Sequence, residues 1–162
     1  MADADRLARV EAHLELLRLE GEYARTWDIA DHDAWAALFS EDGVFERLPT
    51  NPREKQFWFE GREALAKFCR GMNRNLQGLH LLHTPSITID GQSAQSWIHY
   101  EFRSHRRDTG ERGHVLGIYK TDYVRTHAGW RIRHRLEHSA LRAEGAFTGV
   151  PRELESLGRP SD

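Results

Sequence analysis

The sequence predicts an α+β fold, a cone-shaped α+β barrel in which N-terminal helices pack on a strongly curved, mainly antiparallel sheet. Two observations predict it. Apolar residues recur with helical spacing in the first part of the chain, and from residue 79 onward the apolar period changes to two, which is the period of a strand. Four long strands in succession must curl to bury one face. Helices that close this face would leave a conical cavity.

The first predicted helix ends at Asp28. Its apolar positions lie three, four or seven residues apart, at Leu7, Val10, Leu14, Leu17 and Ala24. This stripe is typical of a helix that lies on a core, so we expect these residues to be buried. One turn beyond Ala24 the stripe reaches Asp28. A buried carboxylate is costly unless it is paired or used, so Asp28 is either a solvent-facing residue at a frayed helix end or a pocket carboxylate.

Shorter elements follow this helix. Asp33 is the expected N-cap of a short helix, and Gly61 is expected to open a longer one. The expected elements are a helix over 34–39, a turn over 40–43, strands over 44–48 and 56–59 with a loop between them, and a helix over 62–72.

The second half of the chain predicts a meander of long strands. Turn residues separate runs of alternating apolar residues, which gives strands over 79–90, 93–105, 112–126 and 130–142. We expect a single domain over 1–145. The segment 146–162 is then a C-terminal tail that could close over the cavity or simply overhang.

Composition excludes several classes of protein. A chain of 162 residues with 39% hydrophobic content suits one globular domain, and a net charge of −2 gives no electrostatic case for nucleic acid. The single cysteine, Cys69, cannot form an internal disulfide. Because the sequence has neither a secretory signal pattern nor an apolar run long enough to span a membrane, we expect a cytoplasmic protein.

Strand alternation predicts which side chains share a face. On strand 93–105 one face carries Trp97, His99, Glu101, Arg103 and His105, and the other carries Ile98, Tyr100 and Phe102. On strand 130–142 one face carries Trp130, Ile132, His134, Leu136 and His138, and the other carries Arg131, Arg133 and Arg135. The arginine face must be exposed to solvent or its arginines must be paired with acidic groups. We therefore expect the histidine face to be the covered one.

The motifs that would indicate a cofactor are missing from the sequence. His80 and His83 are three residues apart at the start of a strand, so they should point to opposite faces and are not expected to share a metal. We predict no metal and no cofactor. The sequence also lacks a glycine-rich phosphate loop and a nucleophile elbow. General acid–base chemistry by His, Asp, Glu and Tyr remains.

Several spaced motifs extend over residues 6–142. They are Tyr23-x4-Asp28, Asp33-x-Trp35-x-x-Leu38-Phe39-x-x-Asp42, Gly61-Arg62-Glu63, His80 before an extended run, and Gly129-Trp130-Arg-Ile132. Together they resemble the polyketide cyclase/dehydratase (SnoaL-like) branch of the nuclear transport factor 2-like superfamily. This fold hosts dehydratases, isomerases, cyclases, epoxide hydrolases and non-catalytic binders, so the resemblance is specific for the fold rather than for the reaction.

Within this superfamily the sequence is most similar to bile acid 7α-dehydratases and scytalone dehydratases. The resemblance to the first implies catalytic roles for Tyr23, Asp28 and His80 and for an acid at Glu101. The resemblance to the second implies that Asp28 orients His80. The sequence also departs from both families, with Gly117 and Tyr119 where scytalone dehydratases have Ser and Asn, and with Ser139 near the last-strand Arg of the bile acid enzymes.

The resemblance implies a cofactor-independent dehydratase that acts on a hydroxylated cyclic substrate, steroid-like or polyketide-like. His80 would move the protons, Asp28 would fix its tautomer, Tyr23 would donate to an oxyanion, and Glu101 would orient a hydroxyl or relay a proton. The residues expected to line the pocket and bind substrate are Trp27, His83, Trp97, Tyr119 and His138.

Three alternatives stay open at this point. An aldol-type polyketide cyclase would use the same His and acid pair. A ketosteroid isomerase is also similar, but its base would fall on Arg47, which cannot accept a proton. The third alternative is a non-catalytic binding module or oxygenase subunit. We expect no nucleic-acid or membrane partner, and a homodimer or homotrimer through an outer sheet face that includes Ile98, Tyr100 and Phe102.

Overall fold

The computed structural model describes residues 3–49 and 53–142, and of Arg142 only the backbone. This part of the chain forms three helices and a seven-stranded sheet. The helices are α1 (Asp3–Asp28), α2 (His32–Ala37) and α3 (Arg62–Asn73). The strands are β1 (Phe39–Arg47), β2 (Phe57–Glu60), β3 (Leu76–Leu82), β4 (Ser86–Asp90), β5 (Ser93–Arg106), β6 (Arg112–Thr126) and β7 (Gly129–Arg142).

The strands form one mixed, curved sheet in the order β2-β1-β7-β6-β5-β3, with β4 also paired to β5. Every pairing is antiparallel except that between β1 and β7, which is parallel. The helices pack on one face of this sheet. The predicted α+β architecture is therefore confirmed, as a cone whose sheet does not close.

The buried face of α1 differs from the predicted one. Leu7, Val10 and Leu14 are more than half exposed, and Leu17 is also exposed. The buried residues are Ala12, Leu16, Leu19, Glu20, Tyr23, Thr26 and Trp27. This second stripe also has helical spacing. It contains Tyr23 and Trp27, whose large rings gain more from burial than aliphatic side chains do, so the helix turns this stripe toward the core.

Several element boundaries also differ from the prediction. The segment 40–43, predicted as a turn, lies within β1. Asp31, rather than Asp33, caps α2, because its side chain accepts a hydrogen bond of 3.2 Å from the backbone N–H of Ala34. The predicted strand 79–90 is two strands, β3 and β4, which pair with successive parts of β5. The break contains Pro85, which cannot donate a hydrogen bond to a neighbouring strand.

Strand β7 contains an irregularity that changes its alternation. Tyr123 of β6 pairs with Ile132, but Asp122 pairs with His134, so Arg133 is an extra residue. Such a bulge reverses the faces of the residues beyond it, here as far as a second extra residue, Ala140. Arg135 is therefore completely buried and is paired with Glu20, so of the two alternatives for the arginine face this position has the paired one.

Within the described residues, no helix combines the length and the apolar character needed to cross a membrane. The predicted tail, 146–162, and its role as a lid lie outside the described residues.

Candidate active site

A cavity of about 230 Å³ lies between the C-terminal half of α1, helix α3 and the concave face of the sheet. Aromatic side chains make up much of its wall, and a few polar groups interrupt them. The lining residues are Tyr23, Trp27, Phe45, Arg47, Phe68, Met72, Leu76, His80, Tyr100, Phe102, Ser104, Val115, Tyr119, Glu137 and Ser139. A concave, mostly apolar site with a few convergent polar groups is the usual form of a small-molecule site.

Asp28 and His80 form the central polar pair of this site. Nδ1 of His80 lies 2.8 Å from Oδ1 of Asp28, and the backbone N–H of His80 donates to both carboxylate oxygens at 3.2 and 3.0 Å. The two side chains are only 6% and 13% exposed. Because a carboxylate only accepts, Nδ1 carries the proton in the neutral imidazole and Nε2 is left as the basic nitrogen.

Aromatic rings fix the His80 imidazole from several sides. The ring centroid of Phe102 is 4.5 Å away, and Trp27 and Tyr23 present edges at 6.0 and 6.1 Å. This packing and the Asp28 carboxylate together determine the orientation of the ring.

Tyr23 lies between His80 and a buried cation. Its ring is 1% exposed, and the guanidinium of Arg135 lies 3.9 Å from its centroid. Burial raises the pKa of Tyr23, and the positive charge of Arg135 only partly opposes this shift. The hydroxyl therefore stays protonated at neutral pH, which is the form that donates a hydrogen bond.

A network of buried polar groups supports Arg135 beneath the cavity. Its guanidinium pairs with the Glu20 carboxylate of α1 and donates to Thr121 Oγ1 at 3.1 Å. The Tyr123 hydroxyl donates to the same Glu20 oxygen at 2.6 Å. This network ties α1, which carries Tyr23 and Asp28, to β6 and β7.

Glu137 is an acidic group in the cavity wall that the sequence analysis did not predict. The Tyr100 hydroxyl donates to its Oε1 at 2.7 Å, and the Ser139 hydroxyl lies 3.3 Å from the same oxygen. Burial and the neighbouring carboxylate hold the pKa of Tyr100 well above its usual range. The bulge at Arg133 brings Glu137 and Ser139 inward, and simple alternation along β7 places them on the other face.

The Tyr100 ring packs closely against the backbone of β6 because residue 117 is a glycine. The Tyr100 ring stacks on Tyr119 at 4.1 Å with an angle of 7° between the planes. A Cβ atom at Gly117 would lie 2.6 Å from the Tyr100 ring and 2.4 Å from the carbonyl oxygen of His138. Only glycine is compatible with this arrangement.

The structure brings Tyr23, Trp27, Asp28, His80 and Tyr119 together, as predicted. It does not bring Glu101 to the cavity. The Glu101 carboxylate accepts from His114 Nε2 at 2.9 Å on the opposite face of the sheet, and His114 and then Arg103 lower its pKa. His83 lies on that same face, 3.8 Å from Glu101, and its side chain is 57% exposed.

The prediction that His83, Trp97 and His138 line the pocket is therefore wrong, and so is the catalytic role predicted for Glu101. The face of β5 that carries Tyr100, Phe102 and Ser104 forms the cavity wall, so Trp97 and Glu101 point away from it. His138 is buried, as expected, but it alternates with Glu137 and Ser139 and so points away from the cavity.

The residues expected to form an outer interface also lie on the inner side of the sheet. Ile98 and Tyr100 are buried in the core and Phe102 packs against it, so these three residues cannot form an outer surface for a second copy. His80 and His83, in contrast, do lie on opposite faces as predicted. Within the described ranges, no group of three or more His, Cys, Asp or Glu side chains is arranged to hold a metal ion.

Comparison with known proteins agrees with this architecture. The family model described as the SnoaL-like domain matches residues 8–136. Among curated proteins, none matches the chain.

Solved structures share the fold at low identity. An NTF2-like protein with a cystatin-like fold from Novosphingobium aromaticivorans is 23% identical, with a TM-score of 0.72 over 96% of this chain and 94% of its own. A candidate scytalone dehydratase from the same organism is 18% identical, with a TM-score of 0.75 over 99% of this chain and 100% of its own. ActVI-ORFA from Streptomyces coelicolor is 19% identical, with a TM-score of 0.63 over 78% and 96%.

Proposed function

The chain belongs to the SnoaL-like domain family, and we propose that it is a cofactor-independent hydro-lyase that eliminates water from a hydroxylated cyclic substrate. The observation that carries this proposal is the 2.8 Å hydrogen bond between Asp28 and His80 in the wall of an aromatic cavity. A buried imidazole oriented by a carboxylate is a well-suited general base near neutral pH.

In the proposed reaction, Nε2 of His80 removes a proton from a carbon next to a carbonyl group of the substrate. The electron pair passes to the carbonyl oxygen to give an enolate. The hydroxyl group on the adjacent carbon then leaves as the enolate collapses, and the imidazolium of His80 returns the proton to it, so that water departs. Asp28 stabilises the positive charge of the imidazolium between these two steps.

Tyr23 is the proposed donor to the enolate oxygen. Its hydroxyl is protonated at neutral pH and lies in a water-poor wall, where a hydrogen bond to a developing negative charge is strong. Trp27 and Tyr119 would contact the faces of the substrate ring.

An isomerase of the same fold would need a base on β1 at the position of Arg47. Arg47 lines the cavity, but its guanidinium stays protonated and cannot accept a proton. A polyketide cyclase could use the same Asp28 and His80 pair, and the products formed from a substrate panel distinguish it from a dehydratase.

The test is the His80→Ala substitution, assayed by mass spectrometry for loss of water from a panel of hydroxylated naphthalenones and steroids. The wild-type protein should dehydrate at least one of them, and the His80→Ala protein should not, although it should unfold at a similar temperature. The matched control is His83→Ala, which changes a histidine on the other side of the sheet and should leave turnover intact. A fully active His80→Ala protein would show that the assignment is wrong.

A further inference from the structure

The cavity has a second polar end that the proposed reaction does not use. Glu137 accepts hydrogen bonds from the Tyr100 and Ser139 hydroxyls, both at Oε1. Within residues 3–49 and 53–142, its other oxygen, Oε2, receives no hydrogen bond. Glu137 is only partly buried and lines the cavity, so Oε2 faces the open space in which a ligand would bind. A hydrogen-bond donor on a ligand can pair with this oxygen in place of water.

Glu137 and His80 line the same cavity from different strands of the sheet. His80 is on β3 and Glu137 is on β7, with β5 and β6 between them. The row of paired residues that contains His80 meets β7 at Arg142, so Glu137 is displaced from His80 along the strands as well as across them. Phe102, Tyr100 and Tyr119 form the apolar wall between the two polar ends.

The size of the cavity limits the ligand. Its volume of about 230 Å³ is below the roughly 300–1,000 Å³ of sites that hold drug-sized molecules. A compact ligand of two fused rings matches this volume better than the four fused rings of a steroid.

We propose that Glu137 is a specificity-determining residue that binds a hydroxyl group of a compact, fused-ring substrate at the end remote from His80. The substrate hydroxyl donates to Oε2 of Glu137, while Tyr100 and Ser139 hold Oε1 in place. A substrate with only an acceptor at this position, such as a methyl ether, would bring its lone pairs against the carboxylate and bind poorly. The orientation set by Glu137 brings the reacting carbon to His80, so the catalytic consequence rests on the proposed function.

The experiment compares two probes that share a fused-ring skeleton, 2-naphthol and 2-methoxynaphthalene. Their dissociation constants are measured by calorimetry on the wild-type protein and on Glu137→Gln. The wild-type protein should bind 2-naphthol about tenfold or more tightly, because a hydrogen bond to a charged group is stronger than one between neutral groups. The Glu137→Gln protein should lose most of this preference by weakening for 2-naphthol alone.

The matched control is Glu101→Gln, which changes an acid on the opposite face of the sheet and should preserve the preference. Equal wild-type affinities, a preference that survives in Glu137→Gln, or equal weakening of both probes would overturn the proposal. Binding of neither probe would overturn the ligand class. If Glu137→Gln fails to fold, Glu137→Asp is the second variant, and its shorter side chain should also reduce the preference for 2-naphthol.

The binding test of Glu137 can be separated from the test of the proposed reaction. The His80→Ala protein should retain the preference for 2-naphthol even though it does not turn over substrate. A wild-type protein that dehydrates a substrate but binds both probes equally would reject the role of Glu137 only. A wild-type protein that prefers 2-naphthol to 2-methoxynaphthalene but dehydrates no substrate would reject the proposed reaction only.

Discussion

At the scale of single residues, Asp28 binds His80 through both the ring and the backbone. The backbone N–H of His80 donates to the same carboxylate that accepts from Nδ1, so Asp28 fixes the strand position as well as the tautomer. Both contacts depend on the negative charge and on two accepting oxygens. The position is therefore sensitive to a change that preserves shape but removes charge.

The Asp28→Asn substitution should lower kcat by roughly 100-fold or more, with a smaller change in KM, because the amide no longer stabilises the imidazolium. The measurement is steady-state kinetics on a substrate that the wild-type protein dehydrates. Asp33→Asn is the control, since Asp33 is exposed and lies 3.4 Å from Arg70, outside the cavity wall. Wild-type kcat in the Asp28→Asn protein would contradict the proposed role of Asp28.

Glu101 and Glu137 illustrate how burial and charge pairing differ between the two faces of one sheet. Glu101 is surrounded by His114, Arg103 and His83, which satisfy its charge at a partly wet surface. Glu137 has only hydroxyl partners among the described residues, within an aromatic wall. Of the two carboxylates, only Glu137 is in a position to contact a ligand in the cavity.

At the scale of elements, α1 and β7 are joined by a buried ion pair. Arg135 is fully buried, and the side chain of Glu20 is 5% exposed. In a buried ion pair, the attraction between the two charges offsets the cost of removing them from water. Loss of either charge is therefore destabilising. The bulge at Arg133 creates the pair, because it turns Arg135 toward α1.

The Arg135→Met substitution should lower the free energy of unfolding by about 3–5 kcal/mol, because it leaves the Glu20 charge buried without its partner. Urea denaturation measures this loss. Adding Glu20→Met should recover much of it, since an apolar pair of similar volume removes the unpaired charge.

The control is Arg133→Met on the same strand. Arg133 is exposed, so this change should stay within about 0.5 kcal/mol of the wild-type protein. An Arg135→Met protein as stable as Arg133→Met would contradict the structural importance of the ion pair.

At the scale of the whole molecule, all four tyrosines of the chain are buried. Tyr23, Tyr100, Tyr119 and Tyr123 are each 1–2% exposed. Burial is the largest cause of a raised pKa in each of them. The folded protein therefore keeps these phenols protonated at a pH at which the unfolded chain ionises them.

This linkage predicts the loss of stability in alkali. A group whose folded pKa is raised stabilises the protein fully below its unfolded pKa, and the contribution is lost as pH rises above that value. Since a free tyrosine has a pKa of about 10, stability should fall steadily above about pH 10.

The measurement is a pH titration followed by ultraviolet absorbance of tyrosinate and by circular dichroism. The two signals should change together in one cooperative step, because ionisation requires unfolding. In urea the same tyrosines should titrate near pH 10 without such a step. Tyrosinate formation at about pH 10 in a protein that stays folded would contradict the burial of these rings.

The order of helices and strands, and the position of Asp28 at the end of the first helix, were predictable from the sequence. These features depend on local patterns, such as the change of apolar period and the residues that end each element. The family resemblance predicted that Tyr23, Trp27, Asp28 and His80 share one site.

Only the tertiary structure decided which face of each element is inside. Helix α1 has two apolar stripes and β5 has apolar residues on both faces, so periodicity alone could not select between them. On β7 a single extra residue, Arg133, reversed the alternation and placed Glu137 rather than His138 in the cavity wall. A bulge depends on the pairing between strands that are distant in sequence, and periodicity along one strand does not contain that information.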